Sequence, residues 1–224
     1  MSECKLDHLV MVAADLNAGR EYIEELLGVK TERGGKHTAM GTHNRLLRLG
    51  EDQYLEIIAI DPDGQTPDRP RWFALDDPEL QTRIRNAPIL AAWVARTPAI
   101  DRAAKRPPYN ETEVRDVSRD DLRWRMAFTP DGGLPLDGAL PLLIEWQTDP
   151  IPSTRLPDAG CALERLVVQS PQAARVQQVL QDLGLDGVQT DHSVQTGLAA
   201  SLITPGRGEV VLSSVLAGET DNDL

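Results

Sequence analysis

GGKHTAMGTHNRLLRLGEDQYLEIIAI, residues 34–60, places two of the chain's four histidines, His37 and His43, in a glycine-rich stretch beside Thr42 and Asn44. Leu46, Leu47 and Leu49, and then residues 54–60, are dense in apolar side chains on either side of Gly50-Glu51-Asp52, so they read as two strands about a turn. Glu56 lies inside the second strand, where packing asks for an aliphatic residue. A carboxylate buried there unpaired costs on the order of several kcal/mol, so a metal, a histidine or an arginine must meet it. A metal site, an acid–base pair and a set of hydrogen-bonded structural groups all satisfy that demand. Gly34, Gly35 and Gly41 read as positions of positive φ.

Upstream, residues 6–12 read as a strand. Residues 16–27 then set Leu16, Tyr22, Ile23, Leu26 and Leu27 on one helical face, with Asp15 as N-cap and Gly28 as the stop. A strand within residues 29–33 completes a β-α-β-β-β order. The order returns over residues 90–95, 98–105, 113–117, 122–128 and 140–146. It returns a third time as a strand at 163–168, a helix at 171–183 between Ser170 and Gly184, and strands at 198–203 and 209–214. Repetition at this scale leaves each unit with an open sheet face that a neighbour must cover. The expected architecture is therefore α+β. Residues 61–87, rich in proline and charge, read either as a surface excursion or as a flap anchored by Trp72 and Phe73. Residues 147–157 hold three prolines and read as a linker. The last residues, 217–224, form an acidic tail without periodicity.

Composition narrows the partners. The 224 residues carry a formal net charge of −12, which disfavours nucleic acid and anionic membranes because both are repelled. Cys4 and Cys161 are too few and too far apart for a disulfide scaffold or a cysteine zinc site. No apolar run reaches the ~18 residues that cross a bilayer, and the first residues lack a signal-peptide core, so a cytoplasmic location is expected.

The chain resembles the glyoxalase-like domain family of the vicinal oxygen chelate superfamily. The resemblance is carried by LDHLVMVAADLNAGREYIEELLG (6–28), GGKHTAMGTHNRLLRLG (34–50), YLEIIAIDP (54–62), VARTPAIDRAAKR (94–106), LRWRMAF (122–128) and PLLIEWQTDP (141–150). It implies paired βαβββ modules whose sheet curls into a half-open mixed barrel around a cavity, with helices outside. Residues 1–150 would form that barrel, and residues 158–216 a third βαβββ-like unit packed on it. In the wider superfamily a divalent metal in the cavity is held by the first and last strands of each module and chelates vicinal oxygens of the substrate.

Carried over by position, the resemblance makes His8 and Glu56 metal ligands, and an imidazole with a carboxylate suits Zn, Fe, Mn, Ni or Co. The second module departs from the pattern. It offers Ala92 or Trp93 on its first strand and Glu145 on its last, but aligning the Asp-Pro dipeptides sets Ile144 opposite Glu56. Arg165 stands where the third unit would place a ligand. A divalent metal held by His8, Glu56 and Glu145 is thus expected to be weakly bound or absent. Glu56 and His37 are the candidate catalytic groups. Thr42, Asn44, Arg123 and Arg125 are the candidate substrate contacts, the two arginines because a guanidinium fork suits a carboxylate, although a solvated face explains them equally. His43 occupies a more variable slot of the pattern, and His192 reads as surface.

Two functions are compatible with these residues: a metal-assisted enzyme of lyase, isomerase or dioxygenase type acting on a small oxygenated metabolite, and a metal-free protein of the same fold that sequesters a small molecule. The expected partner is a small-molecule substrate or ligand, with no nucleic acid and no membrane, and a homodimer is allowed.

Overall fold

The computed structural model describes residues 4–214. The acidic tail expected at 217–224 lies outside the described residues. Strand β1 (Lys5–Val12) occupies the centre of an eight-stranded sheet, parallel to β4 (Gln53–Ile60) on one side and antiparallel to β5 (Ile89–Arg96) on the other. Covered on both faces, β1 is buried at every residue but Lys5, which is why it reads as an almost unbroken apolar run. With β2 (Glu32–His37), β3 (Thr42–Leu49), β6 (Glu113–Arg119), β7 (Leu122–Phe128) and β8 (Leu142–Trp146), the order is β2-β3-β4-β1-β5-β8-β7-β6. The two modules therefore join through the β1–β5 pair. The end strands β2 and β6 also touch, so the sheet curls into a half-open barrel.

Side-chain alternation sorts the residues of β1 and β4 between the two sides of this wall. Leu9, Met11, Leu55 and Ile57 belong to the outer core, whereas Val10, Val12 and Ile58 belong to the inner one. Helix α1 (Leu16–Leu27) covers the outside and buries Ile23 and Leu27. The carboxylate of Asp15 accepts from the amide of Ala18 at its start, and Gly28 ends it at φ 73°, a left-handed conformation that glycine adopts without penalty. The expected strand at 29–33 forms later, as β2, because its backbone partners lie in β3 from Thr42 onward.

The third unit consists of β9 (Ala162–Ser170), α5 (Ala173–Leu183), β10 (Val188–His192), β11 (Gly197–Thr204) and β12 (Gly208–Ser213). These strands make a separate sheet in the order β10-β9-β11-β12. Leu166, Val168, Val176, Leu180 and Leu202 join Leu9, Met11 and Trp93 in one continuous outer core. Strand β10, VQTDH, carries no apolar alternation and was not expected; parallel pairing to β9 makes it. His192 ends that strand and is exposed. The proline-rich stretch after β4 contains only a short helix, α2 (Pro78–Arg83), but it carries Trp72 and Phe73, 3% and 2% exposed, into the inner core. Two further single-turn helices, α3 (Ile100–Ala103) and α4 (Pro152–Arg155), complete the α-helices among the described residues. No helix among the described residues is long and apolar enough to cross a membrane.

Gly19, within α1, tests the seat of the helix. A Cβ there would stand 2.7 Å from Cβ of Ala13 and 2.9 Å from Cγ2 of Ile57. Alanine gains about 1 kcal/mol in helix propensity over glycine, but forcing the helix off β4 costs about 1–3 kcal/mol. Gly19→Ala is expected to lower the unfolding free energy measured in urea, against the propensity scale.

Candidate functional site

The inner side of the first module gathers its polar residues. His8 of β1, Glu56 of β4, Asn44 of β3 and His37 of β2 line one cavity with Tyr54, Trp72, Trp124, Trp146 and Arg119. The cavity measures about 30 Å³, room for one or two water molecules. Register explains the convergence. His8 lies opposite Tyr54 and Asn44 opposite Ile58, so each is a diagonal neighbour of Glu56 on the same face.

Glu56 is 6% exposed and its partners are clear. The Asn44 amide donates to Oε1 at 2.5 Å, and Nε2 of His8 stands 3.6 Å from Oε2. The other ring nitrogen of His8 lies 2.7 Å from Oδ1 of Asp7. Two consecutive residues of a strand normally point to opposite faces. Here the β1–β5 register slips between Leu6 and His8, and this bulge at Asp7 brings its carboxylate round to the imidazole. Asp7 is fully buried, accepts from the indole of Trp146 at 2.9 Å and lies 3.6 Å from Arg96. A carboxylate accepts only, so Nδ1 of His8 donates to Asp7, which leaves Nε2 as the nitrogen presented to Glu56.

His37 is fixed by the same logic. Arg119 has only donors, and its Nη1 is 3.2 Å from Nε2 of His37, so Nε2 accepts and Nδ1 donates to Oγ1 of Thr42 at 3.0 Å. Burial, and then the positive charge of Arg119, push this imidazole well below its ordinary pKa of 6.5. It is neutral. Burial, reinforced by the charges of Asp7 and Glu56, likewise pushes the Tyr54 hydroxyl well up, so this ring, stacked on His8 at 4.5 Å, stays protonated. Arg119 also donates to Oδ1 of Asn44 at 3.0 Å, an atom that accepts from the amide of Gly35 at 2.9 Å.

The paired glycines make this closeness feasible. A Cβ at Gly34 would fall 1.9 Å from Oδ1 of Asn44, and one at Gly35 2.7 Å from Cδ of Arg119. Neither has a positive φ; among the three glycines expected to supply one, only Gly41 does, at 58°. Gly34 and Gly35 permit close approach instead.

Other candidates lie elsewhere. Glu145 is not at the cavity: its neighbours Ile144 and Trp146 are, and it turns away to Arg125 at 3.2 Å. Arg125 is itself held by Asp101 at 2.6 Å, and Arg123 is exposed with its guanidinium on the carbonyls of Asp120 and Leu122. Alternation along β7 sends Trp124 inward and both arginines outward, so the chain's own acids and carbonyls occupy the two forks. His43 lies toward Asp61, at 3.9 Å, outside the cavity. Asp7 and Arg119 were absent from the sequence-derived set. The Asp-His dipeptide was a legible sign of the first, whereas EVRDVSR around Arg119 looks like any exposed strand.

The model of the glyoxalase-like domain family matches residues 6–184. The chain belongs to the glyoxalase-like domain family. Its two βαβββ modules build one curled, half-open sheet, the architecture that the resemblance implies. Among solved structures, a hypothetical protein from Staphylococcus aureus is 15% identical with a TM-score of 0.58, the match covering 94% of this chain and 84% of that one. Methylmalonyl-CoA epimerase from Mycobacterium tuberculosis is 16% identical with a TM-score of 0.41, over 65% of this chain and 88% of the other. A hypothetical protein from Bacillus halodurans C-125 is 10% identical with a TM-score of 0.43, over 66% and 96%. The likeness to the Staphylococcus aureus protein, at 15% identity, shows the fold alone. No curated protein matches the chain significantly.

The family's fold raises the question of a divalent metal, and the donors present do not fit one. His8 Nε2 and Glu56 Oε2 converge, but a catalytic site normally uses three protein ligands. Both nitrogens of His37 are engaged, Ile144 stands where the second module would supply a ligand, and the neighbouring guanidinium repels a cation. Among the described residues no group of three His, Cys, Asp or Glu side chains is placed to hold an ion. Elemental analysis of protein purified without added metal is expected to give well under one equivalent; one tightly held equivalent after dialysis against a chelator would refute this assignment.

Neutral His37 also links stability to pH. Its folded-state pKa is depressed, so the unfolded chain binds more protons between that value and 6.5, and stability falls as pH drops below about 6.5. Urea midpoints from pH 7.5 to 5.5 are expected to show this loss, with His37 contributing up to about 1.4 kcal/mol per pH unit, and His37→Gln to flatten it.

Proposed function

We propose that the cavity is the active site of a proton-transfer enzyme, an isomerase or lyase acting on a small oxygenated molecule, with Glu56 as general base. One observation carries this reading: a buried carboxylate on the cavity wall whose second oxygen faces an imidazole oriented by Asp7. Oε2 of Glu56 removes a proton from a carbon next to a carbonyl, the C–H electron pair becomes the C=C bond, and the carbonyl pair moves onto oxygen to give an enolate. Protonated Glu56 then returns the proton to carbon, or a leaving group departs with the enolate pair. Asn44, donating to Oε1, keeps Oε2 as the reactive oxygen, and His8 Nε2 shares the abstracted proton. No step passes through a metal.

The alternative, a sequestering protein, draws support from the aromatic remainder of the wall, Tyr54, Trp72, Trp124 and Trp146, which suits a flat ligand without chemistry. Incubation of the protein in D₂O with a panel of small ketones, aldehydes, 2-oxo acids and 2-hydroxy acids, followed by proton NMR, separates the two. The expected result is deuterium incorporation next to a carbonyl that falls about 10²–10⁴-fold in Glu56→Gln and persists in Glu145→Gln. A compound bound equally by wild type and Glu56→Gln, with no exchange in either, would make the protein a binder.

A further inference from the structure

Among the described residues Arg119 forms no ion pair within 4 Å. Its two hydrogen-bond acceptors are the neutral imidazole of His37 and the amide oxygen of Asn44, and its Nε is buried with no partner. The indole Nε1 of Trp72 is a second buried donor without an acceptor. Both residues line the cavity, and both meet the same imidazole, Trp72 edge-on at 4.8 Å between ring centroids. Orphaned donors in a buried site are destabilising unless something satisfies them, and an unpaired guanidinium is more so.

The position of Arg119 adds a direction. With Asn44 it lines the cavity on one side and, on the other, an outer cleft of about 1040 Å³. In a chain of net charge −12, Arg33 and Arg45 face that cleft against Asp120, while Lys36 there is paired with Asp61 at 2.7 Å and burial lowers the pKa of His43, so the lining is weakly positive. A field of this sign steers anions to the opening where Arg119 stands. With the guanidinium on His37 and Asn44 the cavity has room for little more than water, and a group that makes stronger bonds to Arg119 can displace it from them.

Resting on the reading of the cavity as the active site, we propose that the substrate is a carboxylic acid that enters from the outer cleft, its carboxylate taken by Arg119 and the indole N–H of Trp72 while its reactive carbon faces Glu56. A carboxylate replaces two neutral acceptors with a charged one, satisfies Nε of the arginine, and uses the forked geometry that a guanidinium offers. Loss of Arg119 from Asn44 leaves the Asn44 amide on Glu56, so the base keeps its orientation as the substrate binds.

The test measures binding rather than turnover. Acetate, glycolate and pyruvate are titrated against the intrinsic tryptophan fluorescence of the full chain, to which Trp72, Trp124 and Trp146 contribute from the cavity wall, with acetamide and glycolamide as uncharged isosteres. At least one carboxylate is expected to saturate the change with an affinity ten-fold or more above its amide. Arg119→Gln is expected to lose that preference, Trp72→Phe to weaken it several-fold, and Glu56→Gln to keep it. Arg119→Lys, which preserves the charge but not the fork, guards against misfolding and is expected to fall between wild type and Arg119→Gln; circular dichroism checks each variant. Amides that bind as tightly as acids, no saturable carboxylate in wild type, or folded Arg119→Gln with unchanged affinity would overturn the proposal. Carboxylate binding that survives in Glu56→Gln without any deuterium exchange in wild type would instead sink the proton-transfer reading and leave the carboxylate site at Arg119 standing as a binding site.

Discussion

The bond from Arg119 to Asn44 and His37 joins the two ends of the curled sheet, and the inner site depends on it. Strands β2 and β6 lie farthest apart in the strand order, yet Arg119 on β6 reaches Asn44 on β3 and His37 on β2. From Asn44 the chain of polar contacts continues to Glu56, then to His8, then to Asp7 and Trp146. One path of polar contacts, hydrogen-bonded except for the 3.6 Å step from Glu56 to His8, therefore crosses both modules. Its inner members are buried and Arg119 and Trp146 half-buried, so the inner bonds are stronger than they would be in water and their omission is more costly. Gly34 and Gly35 belong to the same constraint, because a Cβ at either would push the arginine or the asparagine out of the path.

The path divides the electrostatics of the cavity. At one end Asp7 and Glu56 flank His8; at the other, Arg119 has only neutral partners because burial and its own charge keep the His37 ring unprotonated. A carboxylate base and an unpaired cation are thus held apart by the amide of Asn44, which bonds to both. Opposite charges that met directly would neutralise each other as a buried ion pair, a structural feature of uncertain net value. Separated by a neutral amide, each stays available to a ligand.

The two modules share a frame and differ in chemistry. In the first, inward positions of successive strands carry His8, Asn44 and Glu56; in the second, they carry Ala92, Trp124, Met126 and Ile144. The second module acts as an apolar lid for the polar wall of the first, and the chain after β4 completes that lid with Trp72 and Phe73. Arg119, at the end of β6, is the second module's one charged contribution to the lining among the described residues.

Much of this was legible in order along the chain. The alternation of His8, Val10 and Val12 with Leu9 and Met11, the caps at Asp15 and Gly28, and the carboxylate in YLEIIAI are local signals. Two-residue and 3.6-residue periods and cap geometry act over a few positions, so they alone fixed β1, α1, β4 and the shared face of His8 and Glu56. Residues joined over long separations were not legible. Nothing near Arg119 marks it as different from Arg123 or Arg125, and the choice depends on which strand closes against β2, 82 residues away. Glu145 could be moved between inside and outside by one step of register, and pairing of β8 to β5 and β7 decided for outside. The Asp7 bulge and the pairing of β10 have the same origin. Local chemistry determined which elements form and which side chains share a face; closure of the sheet determined which faces meet, because only in the closed barrel do distant polar groups lose water and have to find one another.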